Sequence, residues 1–201
     1  MCRGQLSFFE LLPSLPEGFE YRAELLSPDE EAELLEHFRK LDFREYEFHG
    51  YLGKRRVVSF GLHYDTNESR VRSTEDIPGF LLKLRQKAAD FARLGTSELQ
   101  QALVTEYTPG AAIGWHRDRP VYRDVIGVSF GSSCRFRFRR KRGSGWECAS
   151  VMLEPPSIYL LRGPARTEWQ HSIPAAECLR YSVTFRSLSG GPIKADQVAV
   201  A

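Results

Sequence analysis

Three groups in the second half of the chain combine into one candidate chemistry: His116-Arg117-Asp118, then His171, then the run Arg180-Tyr181-Ser182-Val183-Thr184-Phe185-Arg186. Residues two apart on a β-strand face the same side, so His116 and Asp118 can reach one ion. A sandwich of strands can bring the distant His171 to them. Two imidazoles and one carboxylate occupy one face of an octahedral metal and suit Fe(II), which leaves positions open for a chelating co-substrate and O2. A His-x-Asp triplet alone is common. The order and spacing of all three groups carry the reading. His37, His49 and His63 have no comparable partner and read as surface or packing residues.

If 179–187 is a strand, Arg180, Ser182, Thr184 and Arg186 share one face, and Tyr181, Val183 and Phe185 share a core-like one. Two arginines and two hydroxyls are costly to bury without an anionic partner. A guanidinium meets a carboxylate through two parallel hydrogen bonds. One dicarboxylate can therefore chelate the metal at one end and meet Arg180 at the other. Thr105 and Tyr107 share a strand face just upstream of His116 and can add hydroxyls to the same pocket. The competing reading of these polar faces is an outward stripe on an edge strand.

The elements that must position these groups are legible in part. With 201 residues, 42% hydrophobic and 27% charged, the chain can bury a core and is not disordered in composition. It has no apolar run of membrane-spanning length, and Met1-Cys2-Arg3-Gly4 does not open a secretory signal. Cys2, Cys134, Cys148 and Cys178 form no CxxC pair. Reduced thiols in an intracellular protein, cytoplasmic or nucleoid-associated, are the simpler reading. Residues 1–26 read as irregular or extended. Ser27, Pro28 and Glu30 form a capping box at the head of a helix with Leu34, Leu35, Phe38 and Leu41 on one face. Residues 43–65 read as hairpins or loops, followed by a polar loop through 76. A second helix is predicted over 78–94, with Leu81, Leu84, Ala88 and Phe91 on one face and Gly95 ending it. Seven strands follow, at 101–107, 112–116, 124–130, 134–141, 146–153, 157–161 and 179–187, separated by Gly and Pro turns. The tail from Gly190 reads as a frayed end. Two helices leading into seven short strands predict a mainly β fold, a sandwich supported by helices.

The segment Thr105-Glu-Tyr107-Thr-Pro-Gly-Ala-Ala-Ile-Gly-Trp-His116-Arg-Asp118, with His171 and Arg180-Tyr-Ser-Val-Thr-Phe-Arg186, resembles the AlkB family of Fe(II)- and 2-oxoglutarate-dependent dioxygenases. The resemblance covers about residues 100–188 and extends more weakly to 54–61. It implies a double-stranded β-helix, or jelly roll, at 100–188. Residues 1–99 would supply the N-terminal helices and a nucleotide-recognition lid region, all within one domain over 1–201. It implies that His116, Asp118 and His171 hold iron and serve as the catalytic set. Arg180 would pair with the distal carboxylate of 2-oxoglutarate, Tyr107 would hydrogen-bond the co-substrate, and Arg186 would support its metal-proximal end. Thr105 and Ser182 stand where many members have asparagine and keep a hydrogen-bonding group there. The implied reaction is oxidative dealkylation of N-alkylated bases in DNA or RNA, with release of aldehyde, succinate and CO2.

The substrate is less legible. Arg135-Phe136-Arg137-Phe138-Arg139 alternates strictly, and Arg140, Lys141 and Arg142 follow. Arg137 and Arg139 can track a phosphate backbone, or the strand can be a charge-protected edge. The stretch 48–61 mixes aromatics, glycines and bases. Tyr51, Arg55 and Phe60 can engage an extruded base and its phosphates, or can simply pack a surface hairpin. Trp115, Trp146 and Trp169 read as packing residues. Pro120 stands two residues after Asp118, where repair members of the family often carry an acidic residue that touches the base. That motivates an alternative substrate, a protein side chain or small molecule. A non-catalytic nucleic-acid-binding module is a third reading. The expected partners are alkylated nucleic acid and O2, with no membrane, for a monomer.

Overall fold

The computed structural model describes residues 15–48, 51–65 and 70–191, without the side chains of 47, 48, 51–53, 63–65, 70 and 71. Helix α1 (Pro28–Phe38) begins where the sequence places it. Ser27 Oγ accepts from the Glu30 amide at 3.2 Å, and Glu30 Oε2 accepts from the Ser27 amide at 3.0 Å. Helix α2 (Gly79–Ala92) ends differently from expectation. Arg93, not Gly95, takes the left-handed conformation at its C-terminus, at φ 57°. Its side chain is tied to Glu20 by two hydrogen bonds of 2.9 and 3.1 Å. Gly95 instead opens a short 3-10 turn over Thr96–Glu98.

The strands are β1 (Phe19–Arg22), β2 (Arg44–Phe48), β3 (Tyr51–Asp65), β4 (Arg70–Ser73), β5 (Gln101–Tyr107), β6 (Ile113–His116), β7 (Tyr122–Phe130), β8 (Cys134–Arg142), β9 (Gly145–Leu153), β10 (Ser157–Leu161), β11 (Gln170–Ile173) and β12 (Arg180–Leu188). They form an eight-stranded sheet in the order β1-β10-β7-β12-β5-β3-β2, with β4 on β3, and a four-stranded sheet in the order β6-β11-β8-β9. All pairings are antiparallel. The architecture is a jelly roll with helices on one side. Three expectations are corrected. Residues 70–73 are a strand and not part of a loop, because they pair with β3. The Gly163-Pro164 turn opens a short helix, α3 (Gly163–Thr167). His171 lies on a strand the sequence did not reveal. The frayed tail expected from Gly190 falls largely outside the described residues.

Two apolar layers follow from the alternation. Ala102, Val104, Ile126, Val128, Tyr181, Val183 and Phe185 point from the large sheet toward Leu34, Phe38, Leu81, Leu84 and Ala88 of the helices. The opposite face meets the small sheet, where Tyr107, Val125, Phe136, Phe138, Tyr159 and Trp169 pack. The strand faces pointing into this second layer build the site.

Glu30 also joins α1 to α2, through Lys83 at 2.7 Å and Lys87 at 3.2 Å. The Lys83 ammonium, the Ser27 amide and Lys87 hold its carboxyl down at about 2. A carboxyl whose folded value lies below its unfolded value adds stability that is present above the unfolded value and is lost as pH falls through the folded one. Glu30→Gln keeps the cap but not the charge. It is expected to make the loss of stability between about pH 4.5 and 2 shallower than in the wild type. Urea midpoints across that range check this. Parallel wild-type and variant curves would remove Glu30 from the acid response.

Candidate active site

The large sheet supplies one wall. Its cross-strand register aligns Thr105 with Ser182, Ser182 with Ser129, and Ser129 with Ser157. This row of four hydroxyls is buried. Ser129 and Ser157 were missed from sequence, although Ser129 interrupts an apolar strand and Ser157 heads one. Arg180 lies opposite Tyr107 in the ladder, with its guanidinium 4.6 Å from the Tyr107 ring centroid. It is 1% exposed. Its Nε and Nη2 donate to Ser129 Oγ at 3.2 and 3.1 Å, while Nη1 is buried with no hydrogen-bond partner among the described residues. A buried guanidinium with an idle donor fits an anionic ligand.

The small sheet supplies two metal-type donors. β11 lies beside β6, and the register places His171 opposite His116. Their rings are 4.3 Å apart, and Phe136 stacks on His171 at 5.3 Å. His171 Nε2 lies 3.6 Å from Asp118 Oδ2. Ligand atoms of His116, Asp118 and His171 all fall within 4.8 Å of one another. His116 Nδ1 lies 2.9 Å from the Gly114 carbonyl. A carbonyl only accepts, so this bond puts the proton on Nδ1 and leaves the Nε2 lone pair for a metal.

The electrostatics suit a cation. Burial pushes His171 down to about 3, with His116 adding to the effect. Burial also pushes His116 down, against the pull of Asp118. Both imidazoles are neutral at pH 7, the form that ligates. Burial alone would raise the Asp118 carboxyl, but Arg186 and the two histidines outweigh it and hold it well below the usual range. Arg186 donates to Asp118 Oδ1 from Nε at 3.0 Å and lies 2.9 Å from it at Nη2. Its Nη1 donates to Gln101 at 3.1 Å. The donor set is neutral–neutral–anionic, oxygen- and nitrogen-only, and fits Fe(II).

A cavity runs past the three metal-type donors. Its lining includes Arg55, Thr105, Tyr107, His116, Asp118, His171 and Arg186, with Thr184 and apolar walls of Leu103, Ile113, Val125 and Ile173. Tyr159 also lines it, and its ring lies so close over Gly127 that a Cβ there would come within 2.2 Å of Cζ. Arg180 and Ser182 do not line it; alternation along β12 puts them on the same face as Thr184 and Arg186, which do. Not every candidate residue converges. Phe60 is 5% exposed and packs in the helix-side layer, because its place on β3 points it away from the cavity. Arg137 and Arg139 lie on the outer face of the small sheet, where they bond Ser172 and Gln170. The side chain of Tyr51 lies outside the described residues. Pro120 is exposed, and its carbonyl accepts from Ser189 Oγ at 2.8 Å.

Fold and donor set together define a class, the mononuclear non-haem iron oxygenases. Residues 18–186 match the family model described as the 2OG-Fe(II) oxygenase superfamily, and the chain belongs to that superfamily. Its cofactors are Fe(II) and 2-oxoglutarate, and it is an oxidoreductase. AlkB-type proteins are among its relatives. It is 28% identical to the mouse tRNA (carboxymethyluridine(34)-5-O)-methyltransferase ALKBH8 over 81% of this chain and 25% of that one. It is 26% identical to the Arabidopsis thaliana "Alkylated DNA repair protein ALKBH8 homolog" over 61% of this chain and 42% of that one. The uncharacterized protein L905 of Acanthamoeba polyphaga mimivirus is 30% identical over 49% of this chain and 52% of its own length. The chain thus spans about half or less of these relatives. The solved structure of OsALKBH1 has the same fold, at TM-score 0.65 and 18% identity over 87% of this chain and 98% of that one.

Proposed function

We propose that this oxygenase oxidatively dealkylates N-alkylated bases in DNA or RNA. The observation that carries the chemistry is the clustering of His116, Asp118 and His171 beside a buried arginine with an idle donor. The nucleic-acid substrate is supported by the relatives, one named for tRNA and one for alkylated DNA. In this reading His116, Asp118 and His171 hold the iron. Arg180 takes the distal carboxylate of 2-oxoglutarate, and Tyr107, Thr105 and Ser182 offer hydroxyls along it. Arg186 keeps Asp118 ionised and fixes the direction of its free oxygen. With both cofactors bound, O2 converts 2-oxoglutarate to succinate and CO2 and hydroxylates the N-alkyl carbon, whose adduct then releases aldehyde. Leu103, Ile113, Val125 and Ile173 exclude water from the reacting carbon. Arg55 brings a positive charge to the cavity wall, beside which a base and its phosphate can sit.

The test is a side-by-side screen of methylated and etheno-adducted DNA and RNA oligonucleotides with Fe(II) and 2-oxoglutarate. Succinate and formaldehyde should appear in equal amounts on a methylated strand. Turnover confined to a protein or small molecule would overturn the nucleic-acid assignment and leave the oxygenase standing.

A further inference from the structure

The outer face of the four-stranded sheet carries an unusual pattern of charge and aromatic surface. Along β8, Phe136 and Phe138 point inward and are buried, while Arg135, Arg137 and Arg139 point outward. Among the described residues, no carboxylate lies within ion-pair distance of these three or of Lys141. Glu147 and Glu168 are engaged by Arg140 and Arg142. Neutral acceptors hold the outward arginines instead. Arg137 Nε donates to Ser172 Oγ at 3.0 Å, and Arg139 Nε donates to Gln170 Oε1 at 2.8 Å. Indole rings fill the remaining space. The Arg139 guanidinium lies 4.5 Å from the ring centroid of Trp115 and 4.3 Å from that of Trp146. Arg137 lies 5.0 Å from Trp115, and the Lys141 ammonium 5.3 Å from Trp146. Trp115 comes from β6 and Trp146 from β9, so the ladder crosses all four strands. Trp146 is still 50% exposed.

Exposed cation–π contacts contribute about 0.5–1 kcal/mol each. They orient the side chains but leave four like charges on one face without counter-ions. Such a face matches a polymer that alternates anions and flat rings, with guanidinium groups on phosphates and indoles under bases. An acidic peptide would meet the charges and leave the half-exposed indole without a stacking partner. The face also backs directly on the site. β6 is an edge strand carrying both Trp115 and His116, and β11 carries His171 between the residues that hold Arg139 and Arg137.

We propose that this outer face binds single-stranded nucleic acid, with Trp115 and Trp146 stacking bases on either side of Arg139, and Arg135, Arg137 and Lys141 taking phosphates. It rests on the nucleic-acid reading above and adds to it a strand-holding platform outside the cavity. The test measures fluorescence anisotropy of labelled, unmodified single-stranded RNA and DNA with the full chain, without iron or 2-oxoglutarate. Wild type should bind in a salt-dependent way. Trp146→Ala should weaken binding about fivefold or more without changing the salt slope, and Trp146→Phe should recover part of the loss. Arg135→Gln with Arg137→Gln should reduce the slope by about 0.7 for each arginine. Wild-type binding that is unchanged in both variants would remove this face while keeping nucleic acid as the substrate. No binding by wild type would overturn the platform, while the turnover screen on alkylated strands still decides the substrate. Equal competition by a polyglutamate peptide would reassign the face to an acidic protein.

Discussion

His171→Ala is expected to abolish both metal-dependent stabilisation and 2-oxoglutarate turnover. The imidazole is buried, held neutral, and fixed between the Phe136 ring and the Asp118 carboxylate. A neutral, immobilised donor binds a divalent ion without having to lose a proton or freeze a rotamer. A ligand at about 100 times its dissociation constant stabilises the folded state by about 2.7 kcal/mol. For a chain of this size that corresponds to a melting shift of about 5–10 °C. Mn(II), which is redox-silent here, serves as the probe. Wild type should show the shift. A variant that melts cooperatively, shows no shift, and consumes no 2-oxoglutarate with Fe(II) locates the loss at the site. A wild-type shift in the variant would remove His171 from the metal set.

The reason His116 and Asp118 were legible together, and His171 only through their company, lies in the strand geometry. A two-residue spacing announces a shared face wherever a strand forms. β11 is four residues of mixed polarity, Gln170–Ile173, and gives no periodic signal of its own. It is a strand because β6 and β8 pair with it on both sides. The same holds for β1, whose partner β10 lies far along the chain. Local chemistry, by contrast, fixes the start of α1, since Ser27, Pro28 and Glu30 are neighbours. Phe60 shows the limit of composition. It sits in a stretch of aromatics, glycines and bases that suits base recognition, yet pairing with β5 turns its ring toward the helices. Trp146 shows the opposite limit. Read singly, it is a packing residue. Only the β8–β9 register, which sets Trp146 opposite Lys141 and Cys148 opposite Arg139, brings its indole onto a guanidinium.

The orphan donor of Arg180 gives the prediction that best separates function from stability. Arg180 is among the largest fully buried side chains, and Nη1 has no partner among the described residues. Burying a charged group without full pairing costs stability, and replacing even a whole buried ion pair by apolar side chains of similar volume is often neutral or stabilising by about 1–4 kcal/mol. Arg180→Met is therefore expected to leave the co-substrate-free protein as stable as wild type, or to raise its urea midpoint. Binding should change in the opposite direction. A hydrogen bond to a charged partner is worth about 1.5–3 kcal/mol, so loss of a two-pronged contact to the distal carboxylate should raise the KM for 2-oxoglutarate about a hundredfold or more. The kcat should fall much less, because His116, Asp118 and His171 are untouched. Arg180→Lys keeps the charge but not the fork, and should recover only part of the affinity. If Arg180→Met loses several kcal/mol of stability and keeps the wild-type KM, then the guanidinium is a structural bond to Ser129 and Tyr107, and the carboxylate binds elsewhere. On this view the Nη1 left without a partner among the described residues is the donor that a co-substrate carboxylate takes, while the bonds to Ser129 hold the guanidinium in place for it.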